Sequence, residues 1–172
     1  MIDADGFKIR RAAAADGPDV ARIHVEAWRD AYATLLPAGY LARMDAKIEA
    51  ARWTRSISRR ADNTLVADAE GEVVGYAIVG PARGRTIAPS GEIYALYVDT
   101  DWREHGVGRA LVEAAFEAFR GRGLKHAVIW CLEGNFAARG FYLRCGGTLI
   151  REARVEDVAG MPLPVIGYHW DI

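Results

Sequence analysis

The chain has 172 residues, of which 51% are hydrophobic and 26% are charged, and its formal net charge is -1. This length suits one substantial core, so we expect a single domain over residues 1–172. The near-neutral charge argues against a dedicated nucleic-acid binder, because such proteins usually carry a strongly basic surface. Two cysteines and four scattered histidines form neither a disulfide framework nor a zinc site, so we expect no metal.

The sequence also argues against a membrane protein. No apolar run approaches the ~20 residues that a bilayer-spanning helix needs. Residues 1–10 are polar and charged and lack the apolar centre of a secretory signal. We therefore expect a cytoplasmic protein that does not bind membranes.

Helical patterns dominate the first third of the chain. After a predicted strand at Phe7–Arg10, the stretch Asp16-Gly17-Pro18 predicts a helix start, because its first residues can cap and proline suits the first turn. Apolar residues then recur at helical spacing as far as Leu35, and Pro37 interrupts the pattern. A second helical pattern extends from Leu41 towards Trp53.

The remainder alternates between strand and helix patterns, and the order predicts a mixed sheet with helices packed on it. The predicted strands are Thr64–Ala67, Val73–Val79, Glu92–Val98, Ala127–Leu132, Thr148–Val155 and Val165–Trp170. The predicted helices are Arg109–Arg120 and Asn135–Arg144.

The segment Arg103–Gly108, R-E-H-G-V-G, lies between a predicted strand and a predicted helix. A glycine-bearing turn at a helix start leaves backbone N–H groups without partners, and these groups bind anions. Gly106 and Gly108 allow a ligand to approach closely, and Arg103 adds a forked cation that suits phosphate. The turn therefore predicts a site for a phosphorylated ligand.

Two other kinds of phosphate-binding loop fit this turn less well. A Walker loop requires Gly-Lys-Ser/Thr, but Arg109-Ala110 follows Gly108. A dinucleotide fingerprint requires a third glycine and a place directly after the first strand. From the two glycines alone, a solvated turn that binds no ligand remains an alternative interpretation.

Residues on both sides of the turn indicate which phosphorylated ligand it binds. Four features follow one another in the chain, namely the strand Glu92–Val98, the segment Asp99–Trp102, R-x-x-G-x-G and an amphipathic helix. On a later helix, Asn135 precedes Phe141-Tyr142. This order resembles the acetyl-CoA-binding core of the GNAT superfamily of N-acetyltransferases. The resemblance implies an α/β fold, in which a central, mostly antiparallel sheet with flanking helices is splayed between its fourth and fifth strands.

The resemblance also implies which residues bind acetyl-CoA. Backbone amides of the turn would hold the pyrophosphate, and the free edge at Leu96 and Val98 would pair with the pantetheine arm. Asn135 would contact that arm or cap its helix. The implied cofactor-binding residues are Leu96, Val98, Arg103, His105, Gly106, Val107, Gly108, Arg109, Asn135 and Tyr142.

Two catalytic residues follow from the same resemblance. Tyr142 matches a tyrosine that protonates the leaving thiolate, for which a phenol is a reasonable donor. Glu92 matches a glutamate that removes a proton from the amine, often through water. For Glu92, an anchor for a cationic acceptor is an equally good interpretation.

The sequence says least about the acceptor molecule. Candidate pocket residues are Trp28, Tyr32, Tyr94 and Trp130, whose rings suit a protonated amine or a polyamine. Arg83 and Arg85 could instead meet an acidic acceptor or the cofactor's 3′-phosphate. Neither the acceptor nor the preferred acyl chain length can be read from the sequence.

The sequence thus predicts an N-acetyltransferase that transfers acetyl from acetyl-CoA to a primary amine of a small molecule or peptide, by direct attack in a ternary complex. The alternative is a non-catalytic acyl-CoA-binding regulatory domain. Tyr142 and Glu92 favour the enzyme, because a sensor needs neither. Homodimers are frequent among similar proteins, and the sequence leaves the oligomeric state open.

Overall fold

The computed structural model describes residues 6–60, 63–84, 88 and 90–172. Arg85, a candidate for contact with an acidic group, lies outside these residues. The strands are β1 (Lys8–Arg11), β2 (Thr64–Ala69), β3 (Glu72–Pro81), β4 (Gly91–Val98), β5 (His126–Leu132), β6 (Thr148–Val158) and β7 (Met161–Asp171). The helices are α1 (Gly17–Ala31), α2 (Ala38–Arg43), α3 (Ala46–Arg60), α4 (Val107–Arg120) and α5 (Phe136–Arg144).

The seven strands form one sheet in the order β1-β2-β3-β4-β5-β7-β6. Strand β4 pairs with β5 in parallel. The antiparallel pairs are β1 with β2, β2 with β3, β5 with β7, and β6 with β7. The parallel register covers only Gly91, Glu92 and Ile93, although β4 continues to Val98. This confirms the predicted mixed sheet and its divergence between the fourth and fifth strands.

The chain divides into two compact units. Unit 1 comprises residues 1–79 and 95–115. In it, α1 and α3 pack on buried strand residues, and the core is centred on Val20, Ile23, Ile57, Val66 and Tyr76. Apolar residues at helical spacing in α1 explain this packing, because they place one face of the helix against the strands.

Unit 2 comprises residues 80–94 and 116–172. Its centre is the antiparallel pairing of β5 with β7, which runs from His126↔Asp171 to Leu132↔Val165. Strand β6 then pairs with β7, so that the last two strands form a hairpin. The buried residues Ile129 and Tyr168 face each other in this register and contribute to its core.

Two helix predictions differ from the structure. Helix α1 ends at Ala31 rather than continuing to Leu35, and the Tyr32 hydroxyl instead lies 2.9 Å from that of Tyr97. The single predicted helix from Leu41 is two helices, because Met44 is extended and Asp45 then accepts a 2.7 Å hydrogen bond from the Lys47 amide. At Asp45 a local side-chain hydrogen bond starts a new helix, whereas the Tyr32 side chain meets a residue far away in the chain.

Within the described part of the chain, none of the helices has the length and apolar character that crossing a membrane demands.

Candidate active site

The turn before α4 has the backbone of an anion site. Gly106 adopts φ +83°, a left-handed conformation that glycine reaches without strain. A Cβ added there would meet nothing within 4 Å, so the space above the turn is open. The Ala110 amide donates to the Gly106 carbonyl at 3.0 Å and begins the helix. The amides of Val107 and Gly108 lie before that bond, and because the first amides of a helix have no intrahelical acceptor, this position suits an anionic ligand.

Close packing in unit 1 fixes this turn. Gly75 of β3 faces α4, and a Cβ there would lie 2.9 Å from the Val107 side chain and 3.3 Å from Leu111. The missing side chain therefore lets the helix start approach the sheet. Asp99, directly after β4, forms an ion pair with Arg22 of α1 and accepts a 3.0 Å hydrogen bond from the Asp101 amide. Partial burial of Asp99 acts to raise its pKa. The contact with Arg22 acts in the opposite direction, and the pKa of Asp99 is lowered.

Two of the turn's polar side chains, those of Arg103 and His105, are already engaged. Arg103 forms a 2.5 Å ion pair with Asp30 at the surface. The Nδ1 atom of His105 lies 2.8 Å from the Arg103 carbonyl oxygen, and its ring is exposed beside Trp102. The contact with Asp30 uses only Nη1 of Arg103, and a guanidinium has five N–H donors, so a phosphate could share Arg103 with Asp30 or displace that carboxylate.

The carboxylate of Glu92 is fully buried in unit 2 and is held by Arg83. Its Oε2 accepts a 2.6 Å hydrogen bond from the Arg83 amide, and its Oε1 accepts bonds of 3.1 Å and 2.6 Å from Nε and Nη2. The side chain of Glu92 is 0% exposed, whereas that of Arg83 is 54% exposed. These hydrogen bonds raise the pKa of Arg83 above its usual range. Sequence reasoning did not foresee this bidentate pair, because it depends on the path of the β3–β4 loop.

Three further candidate residues of unit 2 lie on β5, at the N-cap of α5 and within α5. Trp130 is half-buried on β5. The Oδ1 atom of Asn135 accepts a 3.1 Å hydrogen bond from the Ala138 amide, so Asn135 caps α5 as the sequence suggested. Tyr142 is buried in the same helix, with its ring 5.7 Å from that of Tyr168 and 6.3 Å from that of Trp170.

The thiol of Cys131 is a poor nucleophile in this structure. Burial raises its pKa to about 12. The thiolate is the reactive form, so almost none of it exists at neutral pH.

Unit 1 holds an aromatic group that includes two of the predicted acceptor residues. The rings of Trp28 and Tyr32 meet edge to face at 5.0 Å, and His24 lies 5.0 Å from Trp28. The Nε1 atom of Trp28 is buried and has no hydrogen-bond partner among the described residues. A cleft of about 350 Å³ opens beside this group. It is lined by His24, Tyr40, Met44, Glu49, Arg52, Trp53 and Ser56.

The predicted site residues thus fall into two sets. Unit 1 contains Trp28, Tyr32, Leu96, Val98, Arg103, His105, Gly106, Val107, Gly108 and Arg109. Unit 2 contains Glu92, Tyr94, Trp130, Asn135 and Tyr142. Sequence reasoning missed Arg22 and Asp99, which hold the turn, although an Asp directly after a strand is a recognisable cap signal.

Comparison with known proteins identifies the family of the chain. Residues 22–147 match the model of the acetyltransferase (GNAT) family. The N-acetyltransferase YuaI of Bacillus subtilis strain 168 is 31% identical over 163 residues, which cover 94% of this chain and 91% of that protein.

Solved structures show the same fold. The ribosomal-protein-alanine N-acetyltransferase of Brucella melitensis is 27% identical, with a TM-score of 0.71 over 96% of this chain and 99% of that chain. The PaiA N-acetyltransferase of Thermoplasma acidophilum, solved in complex with coenzyme A, is 19% identical with a TM-score of 0.69, over 96% of this chain and 99% of the other. The chain therefore belongs to the GNAT family and is an acetyl-CoA-dependent N-acetyltransferase.

Proposed function

We propose that the enzyme transfers acetyl from acetyl-CoA directly to a primary amine of a small molecule or peptide, within a ternary complex. The turn before α4 carries this proposal, because its left-handed Gly106 and open helix start suit a pyrophosphate. The raised pKa of Cys131 supports direct attack, since an acetyl-cysteine intermediate at that thiol would require a thiolate.

The proposed contacts with acetyl-CoA use mainly backbone atoms. The amides at residues 105–109 would bind the pyrophosphate, and the guanidinium of Arg103, which is paired with Asp30 in this structure, would add positive charge. The strand edge at Leu96 and Val98 would pair with the pantetheine arm, which is supported by the short β4–β5 register. Asn135 would contribute an amide donor while it continues to cap α5.

The chemical step needs a base and an acid. The amine nitrogen forms a bond to the thioester carbonyl carbon, loses a proton, and the C–S bond then breaks as the sulfur receives a proton. We assign the proton donation to Tyr142 and the proton removal to Glu92. Glu92 is fully buried, and both of its oxygens already accept hydrogen bonds from Arg83. Glu92 can therefore act only if Arg83 gives up at least one of these bonds when the amine binds.

The acceptor would contact aromatic rings among the predicted residues. Trp28 and Tyr32 form an edge-to-face pair, and the buried Trp28 Nε1 offers a donor that has no partner among the described residues. Tyr94 and Trp130, the other two predicted acceptor residues, lie in unit 2. Such rings provide large contact area around a few polar groups, as is typical of small-molecule sites.

Thiol release from acetyl-CoA tests the proposal. The purified protein would be incubated with acetyl-CoA and a panel of free amino acids, polyamines, aminoglycosides and a peptide that begins with alanine. Mass spectrometry would identify the N-acetyl product. Intersecting initial-velocity lines are expected for a ternary complex, whereas parallel lines together with an acetylated enzyme would contradict direct transfer. Tight binding of coenzyme A without release for any amine would favour the regulatory alternative.

A further inference from the structure

The cleft in unit 1 brings together side chains from helices α1, α2 and α3. Its volume of about 350 Å³ falls within the roughly 300–1,000 Å³ that is typical of small-molecule sites. Its lining includes Glu49, Arg52, Trp53 and Ser56 of α3, His24 of α1 and Tyr40 of α2. The four residues of α3 follow one another at helical spacing, so they share one face of that helix, which forms a wall of the cleft. We call this space the three-helix cleft.

Packing fixes the aromatic rings of the three-helix cleft. The Trp53 ring lies 5.4 Å from that of His24 and 5.3 Å from that of Tyr76, which is fully buried. The Tyr76 hydroxyl also occupies Nδ1 of His24 at 2.8 Å, so only Nε2 of His24 remains for a ligand. On its other contacts, the His24 ring meets that of Tyr97 in β4 edge to face at 5.8 Å. His24 thus connects the cleft to the strand whose edge is proposed to bind the pantetheine arm.

The polar side chains of the cleft carry no net charge and offer both donors and acceptors. Arg52 donates through Nη1 to Oε1 of Glu49 at 2.8 Å. Among the described residues, Nε and Nη2 of Arg52 and Oε2 of Glu49 have no hydrogen-bond partner. His24 is neutral near pH 7, because burial lowers its pKa to about 4. Its Nε2 donates or accepts according to the tautomer, and the hydroxyl groups of Tyr40 and Ser56 can do both.

These features discriminate among the classes of amine. A polyamine would bring further cations towards Arg52, and the Glu49 carboxylate that attracts them is already paired. A purely apolar amine would deprive the polar groups of the wall of water without replacing it, which costs free energy. A ring that carries several hydroxyl groups is neutral, and each hydroxyl both donates and accepts. Its C–H face is apolar and gains free energy by packing on an aromatic ring.

We propose that the three-helix cleft binds a polyhydroxylated ring, so that the acceptor is an amino sugar. This inference rests on the acetyl transfer proposed above. The C–H face of the sugar packs on the Trp53 ring, and neighbouring hydroxyl groups bind Nη2 of Arg52 and Oε2 of Glu49. The amine is carried by the end of the sugar that lies towards His24, because His24 contacts Tyr97 of β4.

The wild-type enzyme tests this inference with matched acceptors. The amino sugars are D-glucosamine, D-galactosamine and kanamycin, and cyclohexylamine keeps a six-membered ring and a primary amine without hydroxyl groups. Spermidine serves as the polyamine probe. Because hydroxyl groups change the pKa of a neighbouring amine, kcat/KM is compared at pH 8 per concentration of unprotonated amine. Two hydrogen bonds support an advantage of about tenfold or more for at least one amino sugar over cyclohexylamine, expressed mainly in KM.

Variants of α3 locate this preference. Arg52 is 68% exposed, and alanine suits an exposed helical position, so the fold should tolerate Arg52→Ala. We expect the ratio of the best amino sugar to cyclohexylamine to fall about fivefold or more, because only the sugar loses a hydrogen bond. Arg55→Ala is the matched control, since it removes the same charge from the same helix at an exposed position outside the cleft lining. Trp53→Leu should raise KM for both ring-shaped acceptors, whereas Trp53→Phe, which keeps an aromatic ring, should retain most of the wild-type KM.

The outcomes separate the inference from the proposed function. If no amino sugar exceeds cyclohexylamine, or if spermidine is the best acceptor, the amino-sugar inference is overturned and acetyl transfer stays intact. A ratio unchanged in Arg52→Ala, or an equal fall in Arg55→Ala, would also overturn the binding of the sugar in this cleft. Absence of thiol release with every amine would instead contradict the proposed function.

Discussion

The Nδ1 atom of His24 lies 2.8 Å from the hydroxyl oxygen of Tyr76 in the core of unit 1. Burial lowers the pKa of His24 to about 4, and the charge of Arg52 adds to this shift. Tyr76 is fully buried, and burial raises its pKa well above the usual value. Both groups are therefore neutral near pH 7, and the tautomer of His24 decides which of the two donates the hydrogen bond.

The low pKa of buried His24 predicts how the free energy of unfolding depends on pH. The unfolded chain binds a proton at His24 below about pH 6.5, whereas the folded protein does so only near pH 4. The free energy of unfolding should therefore fall by up to ~3 kcal/mol as pH drops through this window, and His24 adds no dependence above it. Urea denaturation of the wild type and His24→Asn at pH 7 and pH 5 measures the difference. Equal losses in both proteins would show that His24 does not carry the effect.

Replacement of Gly106 tests the cofactor turn. In Gly106→Ala the side chain meets no atom within 4 Å, so the direct cost is only the left-handed backbone, roughly 1–2 kcal/mol. Because the same side chain would project where the ligand approaches, we expect the Kd for coenzyme A to rise about tenfold or more, equivalent to ~1.4 kcal/mol. Calorimetric titration with coenzyme A measures it.

Gly123→Ala is the matched control. Gly123 follows α4, has φ +76° and likewise has nothing within 4 Å of an added Cβ. We expect a similar loss of stability with an unchanged Kd for coenzyme A. A similar rise of Kd in both variants would mean that destabilisation, and not the turn, weakens binding.

Asn135 has two proposed roles that substitutions can separate. Asn135→Ala removes the hydrogen bond to the Ala138 amide and should lower the free energy of unfolding by ~1 kcal/mol. Asn135→Asp keeps an oxygen at the cap but loses the amide donor. If Asn135 binds the pantetheine arm, the KM for acetyl-CoA should rise in both variants, while only the alanine variant loses stability. A normal KM in the aspartate variant would leave Asn135 with the capping role alone.

Tyr142→Phe tests the proposed acid. The ring keeps its packing against Tyr168 and Trp170, so the melting temperature should change little. Loss of a general acid costs roughly 10²–10⁴-fold in rate, so kcat should fall at least a hundredfold while the Kd for coenzyme A stays close to that of the wild type. Tyr168→Phe, which removes a neighbouring buried hydroxyl, should retain most of kcat. An unchanged kcat in Tyr142→Phe would exclude the acid role.

Local patterns were sufficient for most elements of the fold. Apolar spacing and capping residues predicted α1, α4, α5 and the strands to within a few residues, because these signals act between neighbours along the chain. They failed at Tyr32, which follows the end of α1 and meets Tyr97 from a distant part of the chain, and at Asp45, which starts a new helix after Met44. The same limit applies to the site, since spacing shows that Glu92 lies on a strand but not what meets its carboxylate.

The sequence by itself therefore determined the family and the cofactor, because the glycine turn, the following helix and the Asn135 cap are encoded by residues close together in the chain. Only the tertiary structure decided the state of the side chains around the chemistry. Arg83 and Glu92 are nine positions apart on either side of a loop, and Arg154 meets Trp130 from another strand. Such contacts depend on how strands pair and loops fold back, so charges that look free in the sequence are paired in the fold.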